Sequence, residues 1–227
     1  MANFKTHFSA GLLLGVAATL AAMTSGMTEG LFQSFFLVLV PLSVGSTLPD
    51  IDSDSSVPFT VAFGSLSLVA ALVVGAIASE FYGDVLPIVG WALFGGGFFW
   101  LVVGGGFKKI TKHRGMAHSV PAAVLVMLTA FGAAQVLGLS SRQSLAFGAS
   151  FGAGYLLHLV LDELYSTIDF EGRRLAVKKS LGSALKFFSH RHRITAVVYL
   201  LVVMAMLSVG ESFLTAAFSV AAMIRRS

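Results

Sequence analysis

Residues 57–79 read VPFTVAFGSLSLVAALVVGAIAS and contain no charged side chain. A membrane-spanning helix needs about 20 predominantly apolar residues to cross roughly 30 Å of hydrocarbon. The run shows no alternation of polar and apolar positions, and each span in lipid has to satisfy its own backbone hydrogen bonds. This stretch is therefore predicted to be a transmembrane helix.

The whole chain resembles this stretch in composition. Its 227 residues are 56% hydrophobic and only 11% charged, with a mean hydropathy of +0.86. Soluble domains carry about 25% charged residues, so the chain is predicted to be a membrane protein. Further apolar stretches lie at about 8–24, 31–48, 85–106, 118–138, 144–161 and 194–224.

The last stretch is too long for one ordinary crossing, and SVGES at 208–212 predicts a turn within it. The predicted fold is all-α, a polytopic transmembrane helical bundle of about eight spans. It divides into a membrane-embedded core at 1–170, a basic cytoplasmic segment at 171–193 and a C-terminal membrane hairpin at 194–227. Glycines four apart, such as Gly148 and Gly152, predict close helix packing.

The basic residues predict the orientation of the chain. With a cytoplasmic amino terminus and eight spans, the positive-inside rule is met by the basic groups at 108–114, 173–193 and 225–226. The protein is thus expected to be a multi-pass inner (plasma) membrane protein with both termini in the cytoplasm. A cleaved signal peptide is the alternative for the first run, which follows Lys5 and ends in LAAM.

The excess of 15 basic over 11 acidic residues points to anionic lipids as a partner and not to nucleic acid. Within 173–189, an apolar helical stripe lies opposite lysines, which predicts a segment on the anionic inner leaflet. The stripe consists of Val177, Leu181, Ala184, Leu185 and Phe188.

Four polar blocks gather at the predicted cytoplasmic boundary. His7 precedes the first span, and LPDIDSD at 48–54 follows the second. HRGMAH at 113–118 precedes the fifth span, and His158 with Asp162 closes the sixth. The positive-inside rule counts only Lys and Arg. It therefore does not by itself require these His and Asp residues to lie on one side of the membrane, and their convergence is separate evidence for a shared site.

Histidine and aspartate are the nitrogen and oxygen ligands that suit zinc, manganese or iron, and the chain has no cysteine. Residues i and i+4 share a helix face, so His158 and Asp162 can reach one ion. An unpaired ionisable group at the edge of the hydrocarbon costs about 2–3 kcal/mol, which a shared cation would offset. The first three blocks also have structural interpretations: His7 as an interfacial histidine, 48–54 as a capped turn and 113–118 as a basic loop.

Four of these segments resemble the signature blocks of a known family. THFSAG, GSTLPDIDS, HRGMAHS and GYLLHLVLDE are similar to those of the LexA-regulated inner-membrane metal-dependent hydrolases, the YdjM-like family, over residues 1–170. The resemblance implies a divalent-metal site, with zinc first and manganese or iron as alternatives. Its implied ligands are His7, Asp50, Asp52, His113, His118, His158 and Asp162.

A remoter similarity is to zinc-dependent phospholipase C and P1 nuclease. This chain has one His-x-x-x-Asp element and no amino-terminal tryptophan, so one or two ions are expected here instead of three. The resulting hypothesis is a metal-dependent hydrolase acting on a lipid phosphate or phospholipid at the head-group level. Arg114 would bind phosphate, and Asp52 or Asp54 would act as base or orient a histidine. The alternatives are a metal-ion or proton transporter and a non-catalytic membrane protein.

Overall fold

The computed structural model describes residues 4–52, 57–106, 116, 118–167, 187–188 and 192–225. These residues form a 3-10 turn at Leu48–Asp52 and seven helices, with no strand among them. The helices are α1 Phe4–Thr24, α2 Gly30–Gly45, α3 Val57–Ser79, α4 Val85–Gly104, α5 Val120–Val136, α6 Ser141–Thr167 and α7 His192–Ile224. The all-α prediction is confirmed.

Five of the seven helices, α1, α3, α4, α6 and α7, are long and apolar enough to cross a membrane, whereas α2 and α5 are shorter apolar helices. Large apolar side chains such as Leu13, Leu72 and Leu207 are more than 60% exposed. Exposed apolar surface on this scale would aggregate in water but is stable against lipid tails. The structure is that of a membrane-embedded helical bundle.

The predicted C-terminal hairpin is wrong, because α7 runs without a break from His192 to Ile224. The SVGES sequence lies inside this helix. Its one helix-weakening residue, Gly210, costs about 1 kcal/mol relative to alanine. A turn within the hydrocarbon would leave several backbone groups without partners, and each of these costs several kcal/mol. The described residues thus hold one apolar helix fewer than the hairpin implied.

The chain divides into two compact units, and the smaller one comprises residues 50–113 with helices α3 and α4. These two helices pack together through small residues. A Cβ atom added at Gly95 would meet the Val74 side chain, and one at Gly96 would meet the Ser67 carbonyl. The two helices therefore approach each other closely at both glycines.

The larger unit comprises residues 1–49 and 114–227 and is organised around α6, which contacts α1, α2, α5 and α7. Gly148 and Gly152 lie against Met127 on α5 with no room for a side chain. The close approach predicted from their spacing is confirmed. The final turns of α6 bury Tyr155 and Leu159 against the beginning of α5.

Helices α1, α2 and α6 cross at three glycines that bring their backbones together. A Cβ atom at Gly154 would meet the Leu42 carbonyl oxygen, and one at Gly45 would meet the carbonyl oxygen of Phe151. A Cβ atom at Gly11 would overlap the side chain of Ser46. Gly11 lies one turn after His7 and Gly154 one turn before His158. The crossing therefore draws these two histidines to one place.

Candidate metal centre

Four ionisable side chains meet at one end of the larger unit. His7 lies in the first turns of α1, His118 directly precedes α5, and His158 and Asp162 lie near the end of α6. None of the four is more than 3% exposed. Burial this complete is rare for such residues unless they are paired or bind an ion.

The carboxylate of Asp162 lies between two of the imidazoles. Its Oδ1 is 3.4 Å from Nε2 of His7, and its Oδ2 is 3.7 Å from Nε2 of His158. One ligand atom from each of the three residues can be chosen so that all lie within 4.8 Å of one another. The prediction that His158 and Asp162 share a helix face and could reach one ion is confirmed.

The three imidazole rings are packed against each other. The rings of His7 and His158 are stacked, with centroids 3.7 Å apart and an angle of 15° between their planes. The His118 ring meets the His158 ring edge to face, with centroids 5.4 Å apart. Two protonated imidazoles at such distances would repel each other. Metal binding to such rings is through the lone pair of a neutral imidazole nitrogen.

One hydrogen bond fixes the tautomer of His158. Its Nδ1 atom lies 2.8 Å from the backbone carbonyl oxygen of Ser46. A carbonyl oxygen only accepts, so Nδ1 carries the proton and donates it. The lone pair is then on Nε2, the atom facing Asp162. Metal-ligating histidines are held in this way in most proteins, with the second nitrogen donating to a carbonyl or carboxylate.

A helix cap holds His118 in position. The next residue, Ser119, is the N-cap of α5, and its hydroxyl accepts a hydrogen bond from the backbone nitrogen of Ala122. The same hydroxyl donates to the Met116 carbonyl at 2.6 Å, and Pro121 stands in the first turn. Serine at the N-cap and proline in the first turn are strong helix-start signals. The backbone that carries His118 is thereby fixed on both sides.

The residues fit a divalent cation. The two imidazoles of His7 and His158 and the carboxylate of Asp162 form a nitrogen and oxygen donor set suited to zinc, manganese or iron. Nδ1 of His7 is buried and has no hydrogen-bond partner among the described residues. Buried polar atoms in native proteins are nearly always satisfied, and a bound cation would satisfy this nitrogen.

Comparison with protein families identifies the family of this chain. The family model described as YdjM inner membrane protein matches residues 1–224. The chain belongs to this family. The resemblance of the four sequence blocks is confirmed, and the match continues beyond residue 170 to include α7. Neither the curated proteins nor the solved structures include a match to the chain.

The other residues predicted for the site of this YdjM family member lie in the smaller unit or outside the described residues. Asp50 and Asp52 lie in the 3-10 turn at the beginning of the smaller unit. Asp54, His113 and Arg114 fall outside the described residues, as does the 173–189 segment except for residues 187 and 188. The roles predicted for these residues stay predictions.

Two residues near the YdjM site were missed by sequence reasoning. Ser46 contributes a backbone carbonyl, which any residue type could supply, so no residue-type pattern could reveal it. Glu163 follows Asp162 and is buried, with 8% exposure. An acidic residue in a strongly apolar run is a signal that could have been used, because burying a carboxylate requires a partner.

Proposed function

We propose that this YdjM family member is a membrane-embedded, metal-dependent hydrolase that acts on a phosphoester at the level of the lipid head groups. The proposed substrate class is a lipid phosphate or a phospholipid. The observation that carries the proposal is the buried group of His7, His158 and Asp162, in which His158 is oriented by the Ser46 carbonyl.

The proposed ligands begin with the described cluster of His7, His118, His158 and Asp162. Family resemblance adds Asp50, Asp52 and His113 as further proposed ligands. The proposed ion is zinc, with manganese or iron as alternatives. When bound, a divalent ion supplies a water of lowered pKa and stabilises negative charge on a phosphoryl oxygen.

The side chains of the site have separate tasks in this proposal. The Ser46 carbonyl keeps the lone pair of His158 on Nε2, and the two oxygens of Asp162 lie beside Nε2 of His7 and Nε2 of His158 as further ligand atoms. Burial of these groups excludes bulk water and so strengthens each electrostatic interaction. Arg114 would bind the phosphate through its guanidinium group, and Asp52 or Asp54 would accept a proton from the attacking water.

The position of the cluster along the helices supports a substrate at the membrane surface. Asp162 lies five residues before the end of α6, or about 7.5 Å at 1.5 Å per residue. His7 is three residues from the beginning of α1, and His118 immediately precedes the N-cap of α5. Side chains at helix ends lie near the head groups, where a lipid phosphoester is found.

The test is an activity screen in lipid nanodiscs with matched variants. The metal-loaded protein is expected to release phosphate or a head group from one class among phosphatidic acid, other lipid phosphates and phospholipids. His158→Ala should abolish this release. Ser150→Ala, at a buried serine two turns earlier on α6, should not. Equal turnover by wild type and His158→Ala would contradict the proposal.

A second candidate function is transport of a metal ion or proton, and the complete burial of the cluster is the observation that favours it. Ionisable groups inside membrane helices commonly mark ion paths. Proteoliposomes loaded with a zinc-sensitive dye distinguish the two functions. Zinc entry that His158→Ala abolishes, without hydrolysis of any phosphoester, would replace the hydrolase proposal with transport.

A further inference from the structure

Helix α7 carries a line of polar side chains on one exposed face. Ser208, Glu211, Ser212 and Thr215 are spaced i, i+3, i+4 and i+7, which places them along a single side of the helix. All four are exposed, in a helix that is otherwise strongly apolar. We refer to these four residues as the polar face of α7.

The opposite side of α7 attaches the helix to the rest of the larger unit. Phe213, Ala216 and Val220 pack in one cluster with Phe131 of α5 and Leu145 of α6. Val220 lies nine residues from Glu211, which at 100° per residue puts it on the far side of the helix. The polar face is therefore directed away from the packing surface of α7.

The depth of Glu211 makes its exposure costly. Exposed arginines stand near both ends of α7, at Arg193 and Arg225. They are separated by about 48 Å along the helix axis, and Glu211 lies about 3 Å from the midpoint. Arginine side chains extend to the two membrane surfaces, which places the Glu211 carboxyl near the centre of the hydrocarbon.

A carboxyl group at this depth requires a hydrogen-bonding partner. Among the acidic residues of the seven described helices, Glu211 is the one whose side chain is exposed, since Asp162 and Glu163 are buried. Ionisable side chains within membranes almost always face a protein interior or a water-filled cavity. The polar face of α7 therefore has the character of an interface and not of a lipid-facing surface.

We propose that the polar face of α7 is the surface through which two copies of this chain associate in the membrane. A two-fold axis sets each surface against its own copy, so the surface has to be complementary to itself. Hydroxyl and carboxyl groups both accept hydrogen bonds, and hydroxyls also donate, which meets this condition. Ser208 and Ser212 are small and one turn apart, the spacing that allows two membrane helices to approach closely. The proposal does not depend on the hydrolase function.

Cross-linking tests which face of α7 meets the second copy. The chain has no cysteine, so a single introduced cysteine reports its own position. Ser212→Cys should form a disulfide-linked dimer under mild oxidation in native membranes. Met206→Cys is the matched control, because Met206 is exposed but lies about 120° or more around the helix from every residue of the polar face. Equal cross-linking at both positions would overturn the assignment of the face.

Association is measured independently by single-molecule photobleaching of the labelled protein in liposomes at increasing dilution. Wild type should show two-step bleaching, and Glu211→Leu should raise the dissociation constant by about tenfold. Met206→Ala, on the side of α7 away from the polar face, should leave the dissociation constant unchanged. Wild-type protein that is monomeric at every density, or a Glu211→Leu variant that associates like wild type, would overturn the proposal.

Discussion

The Nδ1 atom of His158 on α6 and the carbonyl oxygen of Ser46, the residue that follows α2, lie 2.8 Å apart. The bond joins two helices that touch through Gly45 and Gly154, each within about one turn of one of its partners. The glycine contact sets the distance between the two helices, and this distance determines whether the hydrogen bond can form. The hydrogen bond in turn fixes which nitrogen of His158 can ligate a metal.

The glycine contact should therefore control metal affinity. In Gly154→Ala the added methyl group would meet the Leu42 carbonyl and push α2 away from α6. Forcing extra volume into a packed site costs about 1–3 kcal/mol, and loss of an outer-shell partner lowers metal affinity by about 10- to 100-fold. Both effects can be measured, by thermal unfolding in detergent and by metal titration.

The control for this prediction is Gly97→Ala on α4, where an added methyl group meets nothing within 4 Å. It should keep wild-type metal affinity and should be slightly more stable, because alanine favours helix more than glycine does. A Gly154→Ala variant with wild-type metal affinity would show that the helix contact does not orient His158.

Removing a metal ligand should lower metal affinity more than disturbing the glycine contact does. Asp162→Ala removes the carboxylate shared by His7 and His158, and we expect metal affinity to fall by more than about 100-fold, beyond the range for outer-shell residues. Metal per chain is measured by inductively coupled plasma mass spectrometry. Ser150→Ala controls for a buried polar change on the same helix.

A purely structural role for the cluster predicts the opposite result, namely that metal content does not depend on these residues. If His158 served only in packing, His158→Leu would be neutral or stabilising, since apolar side chains often replace buried polar groups without loss. Metal content would then not follow the mutations.

Much of the fold could be predicted from the sequence, because membrane spans depend on length and apolar content and these are readable residue by residue. The i, i+4 relation of His158 and Asp162 is also local, and the structure confirms it. The hairpin failed for a physical reason: one glycine in SVGES does not outweigh the backbone hydrogen bonds of a helix in lipid.

The contacts within the site depend on tertiary structure and could not be predicted in this way. The stacking of His7 on His158 joins residues far apart in the chain, and it depends on the crossing of α1, α2 and α6. The Ser46 carbonyl carries no side-chain signature. Four of the predicted ligands, His7, His118, His158 and Asp162, lie close together because the helices of the larger unit carry them to one place.

Arg114 should separate substrate binding from metal binding. A guanidinium group orients an anion and does not ligate a cation, so Arg114→Ala should keep wild-type metal content. Its KM for a phosphate-bearing lipid should rise by about tenfold or more, consistent with the loss of a charge-assisted hydrogen bond. Steady-state kinetics with parallel metal analysis provide the test. Loss of metal in this variant would assign Arg114 a structural role.

Because α7 is a single helix, it predicts on which side of the membrane residue 227 lies. A helix of this length that crosses once should place its two ends on opposite sides of the membrane. Reporter fusions after Ser183 and after Ser227 should therefore give opposite signals, with the fusion after Ser183 in the cytoplasm. Two cytoplasmic signals would restore the hairpin expected from SVGES.

The central claim is that the buried histidines and Asp162 form a metal site. Its most direct test is the metal content of wild-type protein purified without chelators and then supplied with zinc or manganese. We predict one or two tightly bound divalent ions per chain, reduced to background in a His158→Ala, Asp162→Ala double variant that still inserts into the membrane. Wild-type protein that carries no ion and takes up neither metal would contradict the account.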